Sequence, residues 1–376
     1  MTVVPNRPYF PGEDRREIAE KVEEILATGE LTSGKYVKHF EGAFAEKVGC
    51  RHAVATSSGT AALEIIFRVL EVEKRDVIVP TNTFIATPNA VRYAGGTPVF
   101  ADIDKGTLCM DASSLCYAHD RHGPAAKAAV LVHIGGTITP QIELIEEKCE
   151  ERGLWLVEDA AHAHGSEYKN THAGRFGIAG AFSFYATKTM TTAEGGMIVT
   201  DENWVAEEAG LLRDQGKMGS KPDVICRFGN AWRMSELHAL LGIYQLSRLE
   251  EFIAAREKVA GIYDDFFHDL FTKDRRLISQ DRTRQMRHSL YKYVVFLNDL
   301  DRATFKKTLQ EKTGLRLPGE VYAIPCHNQP VYRFRWGLPY TLSIADAACA
   351  SHICLPIHAA MSEADAHHVT ECLRRL

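Results

Sequence analysis

The sequence predicts an α/β fold with a mostly parallel central sheet flanked by helices, followed by a smaller α+β C-terminal unit. Between residues 77 and 200, short apolar runs alternate with helical stretches, the rhythm of strand–helix–strand units. Several runs, such as Ala128-Ala-Val-Leu-Val132, are apolar at consecutive positions. Both faces of such strands are expected to be buried, as in a parallel sheet between two helical layers. After Arg233 the rhythm stops and a long helical pattern begins.

In chain order, Arg15–Thr28 places Ile18, Val22, Ile25 and Leu26 on one stripe, and Gly29 ends that helix. Strands are expected at Val77–Pro80, Pro98–Asp102, Ala128–Val132, Leu154–Val157, Gly180–Tyr185 and Met197–Thr200. Helical patterns at Thr60–Leu70, Ile142–Arg152 and Val205–Leu212 supply the crossovers, giving a doubly wound arrangement. Met234–Leu270 lacks proline and is expected to bend or break around Gly242. A strand-like run at Tyr291–Leu297, a helix at Arg302–Thr313, a Pro-rich loop and a last helix from Ser362 complete the chain. These elements suggest a large domain over 1–245 and a small one over 246–376, with the N-terminal segment a candidate to pack on the small domain.

Composition narrows the function. The 376 residues are 45% hydrophobic and 25% charged, ordinary values for a globular chain with an extensive core. Lys and Arg total 44 against 49 Asp and Glu, a net charge of −5. That balance offers no footprint for nucleic acid or an anionic membrane. No apolar run approaches the roughly 20 residues of a membrane span, and the N-terminus lacks signal architecture. Nine cysteines without CxxC pairs read as reduced thiols. A cytoplasmic enzyme is the expectation.

In open α/β sheets, ligands bind beyond the carboxyl ends of the strands. The run 154–157 leads into Glu158-Asp159-Ala-Ala-His162, and the run 180–185 leads into Ala186-Thr187-Lys188. An acid and a lysine can thus meet at one sheet edge, although Asp159 could equally cap a helix and Lys188 be a solvated loop residue. Thr56-Ser-Ser-Gly-Thr60 opens the helix carrying Leu63, Ile66, Phe67 and Leu70. Its hydroxyls and unpartnered N–H groups make an anion site, which the helix dipole assists by about 0.3–2 kcal/mol.

Phosphate cradle, lysine and acid together fit pyridoxal 5′-phosphate (PLP). Its aldehyde needs a lysine, and its pyridine nitrogen needs a carboxylate to stay protonated and make the ring an electron sink. Lys188 would bind the aldehyde and then move the reaction's proton. Asp159 would hold the pyridinium by a charge-assisted hydrogen bond. Phe84, following the 77–80 run, could stack on the ring or simply belong to the core.

These residues also carry a family resemblance. Ser57-Ser-Gly-Thr-Ala-Ala-Leu63, Val79-Pro-Thr-Asn-Thr-Phe-Ile-Ala86, Val157-Glu-Asp-Ala-Ala-His-Ala-His-Gly165 and Phe182-Ser-Phe-Tyr-Ala-Thr-Lys188 occur in that order. Thr191-Thr-Ala-Glu-Gly-Gly196 and Phe228-Gly-Asn-Ala-Trp-Arg-Met234 follow. The ordered set resembles the DegT/DnrJ/EryC family of PLP-dependent nucleotide-sugar aminotransferases, which have the fold type I architecture of aspartate aminotransferase.

The resemblance implies that Gly59, Thr60 and Ser183 hold the cofactor phosphate and that Phe84 stacks on the pyridine. It implies that Asn230 reaches across a homodimer to the neighbouring subunit's phosphate, so that active sites are shared. His162 stands where the family often has a glutamine that touches the cofactor ring oxygen. A metal held by His162 and His164 is the weaker alternative, because no further ligand cluster follows. His327, in Pro325-Cys-His-Asn-Gln-Pro330, falls in a loop resembling one near the family's substrate.

The activity implied is amination of a dTDP-linked keto-6-deoxy sugar at C4 or C3, in deoxysugar biosynthesis, with glutamate or glutamine as donor. Basic residues such as Lys217, Lys221 and Arg227 could meet the diphosphate. A cyclitol or inosose ketone is the alternative acceptor, because some relatives with that chemistry carry a histidine like His162. A sugar dehydratase is disfavoured by Lys188. A PLP-binding regulator without turnover is the reading of another class.

Overall fold

The computed structural model describes residues 3–219, 221–271, 277–279, 285–336 and 341–376. Among them, a central sheet is built from β1 (His52–Thr56), β2 (Asp76–Pro80), β3 (Thr97–Ala101), β4 (Ala126–Val132), β5 (Trp155–Asp159), β6 (Ala179–Ser183) and β7 (Gly196–Thr200). Their spatial order is β1-β7-β6-β5-β4-β2-β3. Strands β3, β2, β4, β5 and β6 pair in parallel, while β7 runs antiparallel to both β6 and β1.

Consecutive side chains of a strand point to opposite faces, so an apolar run needs a partner layer on each side. On β4, Ala128, Val130 and Val132 join one core cluster, whereas Ala129 and Leu131 join another. The first cluster contains the buried faces of α3 (Gly59–Val69), α4 (Ala86–Tyr93) and α7 (Asn203–Arg213). The second contains those of α2 (Lys35–Val48), α5 (Ala112–His122) and α6 (Ile142–Glu151). This is the two-layer burial that the uninterrupted apolar runs demand. Strand β1, with its small and polar residues, is less evident from the sequence, and the helices at 35–48, 86–93 and 112–122 were not expected.

The long helical pattern after Met234 divides at a different place than expected. Helix α8 (Glu236–Ser247) and helix α9 (Leu249–Phe271) meet at Arg248. Arg248 draws its guanidinium onto Glu13, Asp14 and Glu251, tying the break to α1 (Gly12–Thr28). Gly242 lies within α8, where a Cβ would stand 2.6–2.9 Å from the Phe40 ring. Its glycine serves close packing and does not interrupt the helix.

The C-terminal sheet is antiparallel, with β9 (Tyr293–Leu297) between β8 (Leu277–Ser279) and β10 (His352–Leu355). Helices α10 (Arg302–Thr313) and α13 (Glu363–Arg374) close over it, with Leu309 and Val369 in the same core as Val295, Tyr263 and Val3. Ser362 starts α13 through a capping box with Asp365. The other face of β9, Val294 and Phe296, packs into the first core cluster of the large sheet. That docking brings the segments around Tyr291 and Tyr322 over the carboxyl edge of the large sheet. No helix of the described residues is long and apolar enough to cross a membrane.

Candidate active site

A cavity of about 280 Å³ opens at the carboxyl ends of β1, β2, β5 and β6. Of the residues singled out from the sequence, it gathers Gly59, Thr60, Phe84, Asp159, His162, Ser183 and Lys188 in its lining.

One wall is the N-terminus of α3. Ser58 is extended and its Oγ accepts the Ala61 N–H (3.1 Å), forming the helix cap. The N–H groups of Gly59 and Thr60, at the first two helical positions, have no intrahelical acceptor. A Cβ on Gly59 would lie 2.7 Å from the Ser183 Cβ and 3.3 Å from the Phe182 carbonyl oxygen. Glycine therefore lets the helix end close onto β6, placing the Ser183 hydroxyl beside free backbone donors.

The floor is Asp159, the last residue of β5, which is 6% exposed. Its Oδ2 accepts the Thr87 hydroxyl (2.7 Å) and its Oδ1 accepts the Ala161 N–H (3.2 Å). Thr87 in turn contacts the Thr83 hydroxyl at 2.7 Å, in the loop before α4. Glu158 occupies the alternate face of the strand. There its carboxylate accepts the N–H groups of Gly174, Phe176 and Gly177 and meets His133 Nε2 at 2.8 Å. The adjacent acids thus divide the work: Glu158 anchors the loop leading into β6, and Asp159 faces the cavity.

Lys188 ends a turn in which its N–H donates to the Tyr185 carbonyl (2.9 Å). Its Nζ lies 5.1 Å from the centre of the Tyr291 ring, and the Tyr291 hydroxyl is 3.3 Å from Thr187 Oγ1. His162 stacks on Tyr291, with ring centres 4.2 Å apart and planes at 27°. The backbone N–H of Gly135 donates to His162 Nδ1 (3.3 Å), so the ring proton of the neutral form sits on Nε2, 3.2 Å from the Tyr322 hydroxyl. Burial, then the Lys188 and Lys292 ammonium groups, holds this imidazole well below its ordinary titration range. His162 is a neutral donor at pH 7.

Phe84 is 56% exposed within the cavity, and the Tyr322 ring lies 5.8 Å from it at 35°. A flat ligand between these walls would cover apolar surface that a lone chain leaves wet. Tyr291, Tyr322 and Thr87 were not singled out from the sequence. The tyrosines arrive from the C-terminal part of the chain, and no local pattern marks them. Thr87 leaves no helical signal either, since its partner Thr83 lies in the loop before α4.

Two candidates lie elsewhere. Asn230 is exposed, outside the cavity lining, and its side-chain oxygen accepts the Ala231 N–H (2.8 Å). His327 is buried outside the lining, with Nδ1 2.7 Å from Thr81 Oγ1 and Nε2 3.3 Å from Asp346. The basic residues considered for a diphosphate are also engaged: Arg227 forms a two-pronged ion pair with Glu208 (2.7 Å each), and Lys217 Nζ is 3.5 Å from Asp214. The Lys221 side chain lies outside what the structure describes.

The donor set fits PLP. Ser183, Thr60 and the free N–H groups of α3 suit its phosphate; Asp159 suits its ring nitrogen; Lys188 suits its aldehyde. A cavity with this chemistry at the edge of a mostly parallel sheet defines a fold type I PLP-dependent protein.

Residues 13–374 match the DegT/DnrJ/EryC1/StrS aminotransferase family. The chain is 33% identical over 368 residues to the GDP-perosamine synthase of Caulobacter vibrioides, covering 97% of this chain and 96% of the relative. Its structure resembles that of DesI determined in the presence of its TDP-sugar product, with a TM-score of 0.88, 29% identity, and coverage of 100% of this chain and 92% of that one. It also resembles the PLP form of the sugar aminotransferase Spr1654 from Streptococcus pneumoniae (TM-score 0.88, 25% identity, 100% and 98% covered). The chain belongs to the DegT/DnrJ/EryC1/StrS aminotransferase family and uses PLP.

Proposed function

We propose that this chain transfers an amino group from glutamate or glutamine to the ketone of a nucleotide-linked 6-deoxy sugar. The observation that carries the reading is the meeting of the α3 cradle, Asp159 and Lys188 around one cavity. The cofactor, when bound, supplies an electron sink for the carbanion at the reacting carbon. Lys188 would hold its aldehyde and, as a free amine, would move the proton at the reacting carbon. Asp159, restrained by Thr87 and Ala161, holds the ring nitrogen. Gly59, Thr60 and Ser183 would hold the phosphate, Phe84 would cover the ring, and the His162 Nε2–H would donate toward its oxygen.

Support for a nucleotide sugar comes from relatives whose names carry one: GDP-perosamine for one, a TDP-sugar product for the other. The dTDP expectation and the choice of C4 or C3 stay within this proposal. So does a homodimer, in which Asn230, exposed beside Phe228 (97% exposed), completes the neighbouring site. His327 is a second-tier contact in this reading, reaching substrate only through the loop it anchors at Thr81.

Offering the PLP-loaded, donor-treated protein dTDP- and GDP-linked 3-keto and 4-keto sugars and scyllo-inosose, with mass detection of the amine, tests the reading. Amination of a nucleotide sugar is expected. Amination of the inosose alone would replace the proposal with the cyclitol alternative, and a protein that aminates nothing and consumes neither donor would point to a regulator or to another amine source.

A further inference from the structure

Any amino-acid donor brings a carboxylate into the cavity along with its nitrogen. A carboxylate leaving water needs a cation or several hydrogen-bond donors at its destination. Among the lining residues Lys188 is the one cation, set against the acids Asp159 and Glu194, and its nitrogen is committed to the aldehyde. The described lining holds no arginine. A second ammonium close by would supply the charge that such a carboxylate needs from within this chain.

Lys292 is that ammonium. It begins where β9 approaches the large sheet, and its backbone N–H donates to Gly135 (3.3 Å), whose own N–H holds His162. Its Nζ lies 5.5 Å from the centre of the Tyr291 ring, the ring that also has the Lys188 Nζ at 5.1 Å. Both ammonium groups thus neighbour one ring of the cavity wall, Lys292 standing just outside the lining. Lys292 makes one side-chain hydrogen bond, to the Gly319 carbonyl (3.1 Å), and forms no ion pair among the described residues. A lysine ammonium has three donors, so two remain for a ligand.

The donor's nitrogen must arrive where the Lys188 nitrogen was, and its carboxyl carbon is two bonds away, about 2.5 Å from that nitrogen. A hydrogen bond of about 2.8 Å would then join it to an ammonium carried on a flexible four-carbon stem.

We infer that Lys292 binds the α-carboxylate of the amino donor, placing the donor's nitrogen against the cofactor aldehyde beside Lys188. The inference rests on the transamination reading above. It makes Lys292 a residue of the donor half of the cycle alone, with no part in recognising the nucleotide.

The two halves can be measured separately. Holoenzyme titrated with L-glutamate, or L-glutamine, reports the donor half by the loss of the cofactor's visible absorbance. Calorimetric titration with GDP and dTDP reports the nucleotide side without turnover. For Lys292→Met, the half-saturating donor concentration should rise at least tenfold, with the rate at saturation within about threefold of wild type. Nucleoside diphosphate affinity should be unchanged, and Lys292→Arg should recover most of the donor affinity. An unchanged donor dependence overturns the assignment. So does weaker nucleoside diphosphate binding with normal donor binding, which moves Lys292 to the diphosphate, and so does equal loss of both. If wild type answers neither donor, the transamination reading itself fails and carries this one with it.

Discussion

Thr87→Val removes one hydroxyl at the floor of the cavity while nearly keeping its volume. The lost group donates to Asp159 Oδ2 at 2.7 Å and meets Thr83 Oγ1 at 2.7 Å, and all three side chains are buried. A hydrogen bond to a charged group is worth about 1.5–3 kcal/mol. The second restraint, the Ala161 N–H on Oδ1 at 3.2 Å, survives. Asp159 therefore keeps its place but is less firmly aimed at the ring nitrogen of the cofactor. At 1.4 kcal/mol per tenfold, the fall in PLP affinity should be measurable but no greater than about 150-fold, since only the part of that worth gained on holding the ring nitrogen counts. Titrating the apoprotein with PLP by absorbance measures this, with far-UV circular dichroism as the fold control. Asp159→Asn, which removes the charge as well, should lose more. A folded Thr87→Val protein with wild-type PLP affinity would break the link from Thr87 through Asp159 to the cofactor.

The closest approach in the cradle gives a second expectation. In Gly59→Ala the new methyl meets Ser183 Cβ at 2.7 Å; PLP affinity should fall at least tenfold, and urea unfolding should show a loss of about 1–3 kcal/mol. A variant with wild-type values in both would mean that α3 does not close on β6. Stability should also depend on pH. Burial pushes His164 down to about 3 and His172 down to about 4, whereas an unfolded histidine titrates near 6.5. Between those values the unfolded chain takes up protons that the folded chain refuses. Stability is then complete above pH 6.5 and declines as pH falls toward 4, by up to about 1.4 kcal/mol per pH unit for each histidine. Urea midpoints that stay level from pH 7 to 5 would contradict this. For the shared site, inactive Lys188→Ala and Asn230→Ala proteins should regain partial activity when mixed. No recovery despite demonstrated subunit exchange counts against Asn230 acting in trans.

What was legible in the sequence follows from where the physical signal is local. The central strands announce themselves because burial on both faces forces uninterrupted apolar runs, as at Ala128–Val132. Asp159 and Lys188 were singled out because the runs 154–157 and 180–185 lead into them at the edge where a parallel sheet presents its residues, whereas Ser183 came only with the family resemblance. The helix break was misplaced because glycine marks both flexible backbone and tight packing. At Gly242 the Phe40 ring decides for packing, while the break at Arg248 depends on acids on α1 more than 200 residues away. Tyr291 and Tyr322 were out of reach because only the docking of the C-terminal sheet brings them to the cavity.

The central claim is that Lys188 is the residue that binds PLP at this cavity. Borohydride reduction of the PLP-loaded protein, followed by proteolysis and peptide mass mapping, tests it most directly. The account predicts one reduced pyridoxyl phosphate adduct, on Lys188, absent from Lys188→Ala. An adduct on another lysine that persists in Lys188→Ala, or none on a folded and PLP-saturated protein, would contradict it.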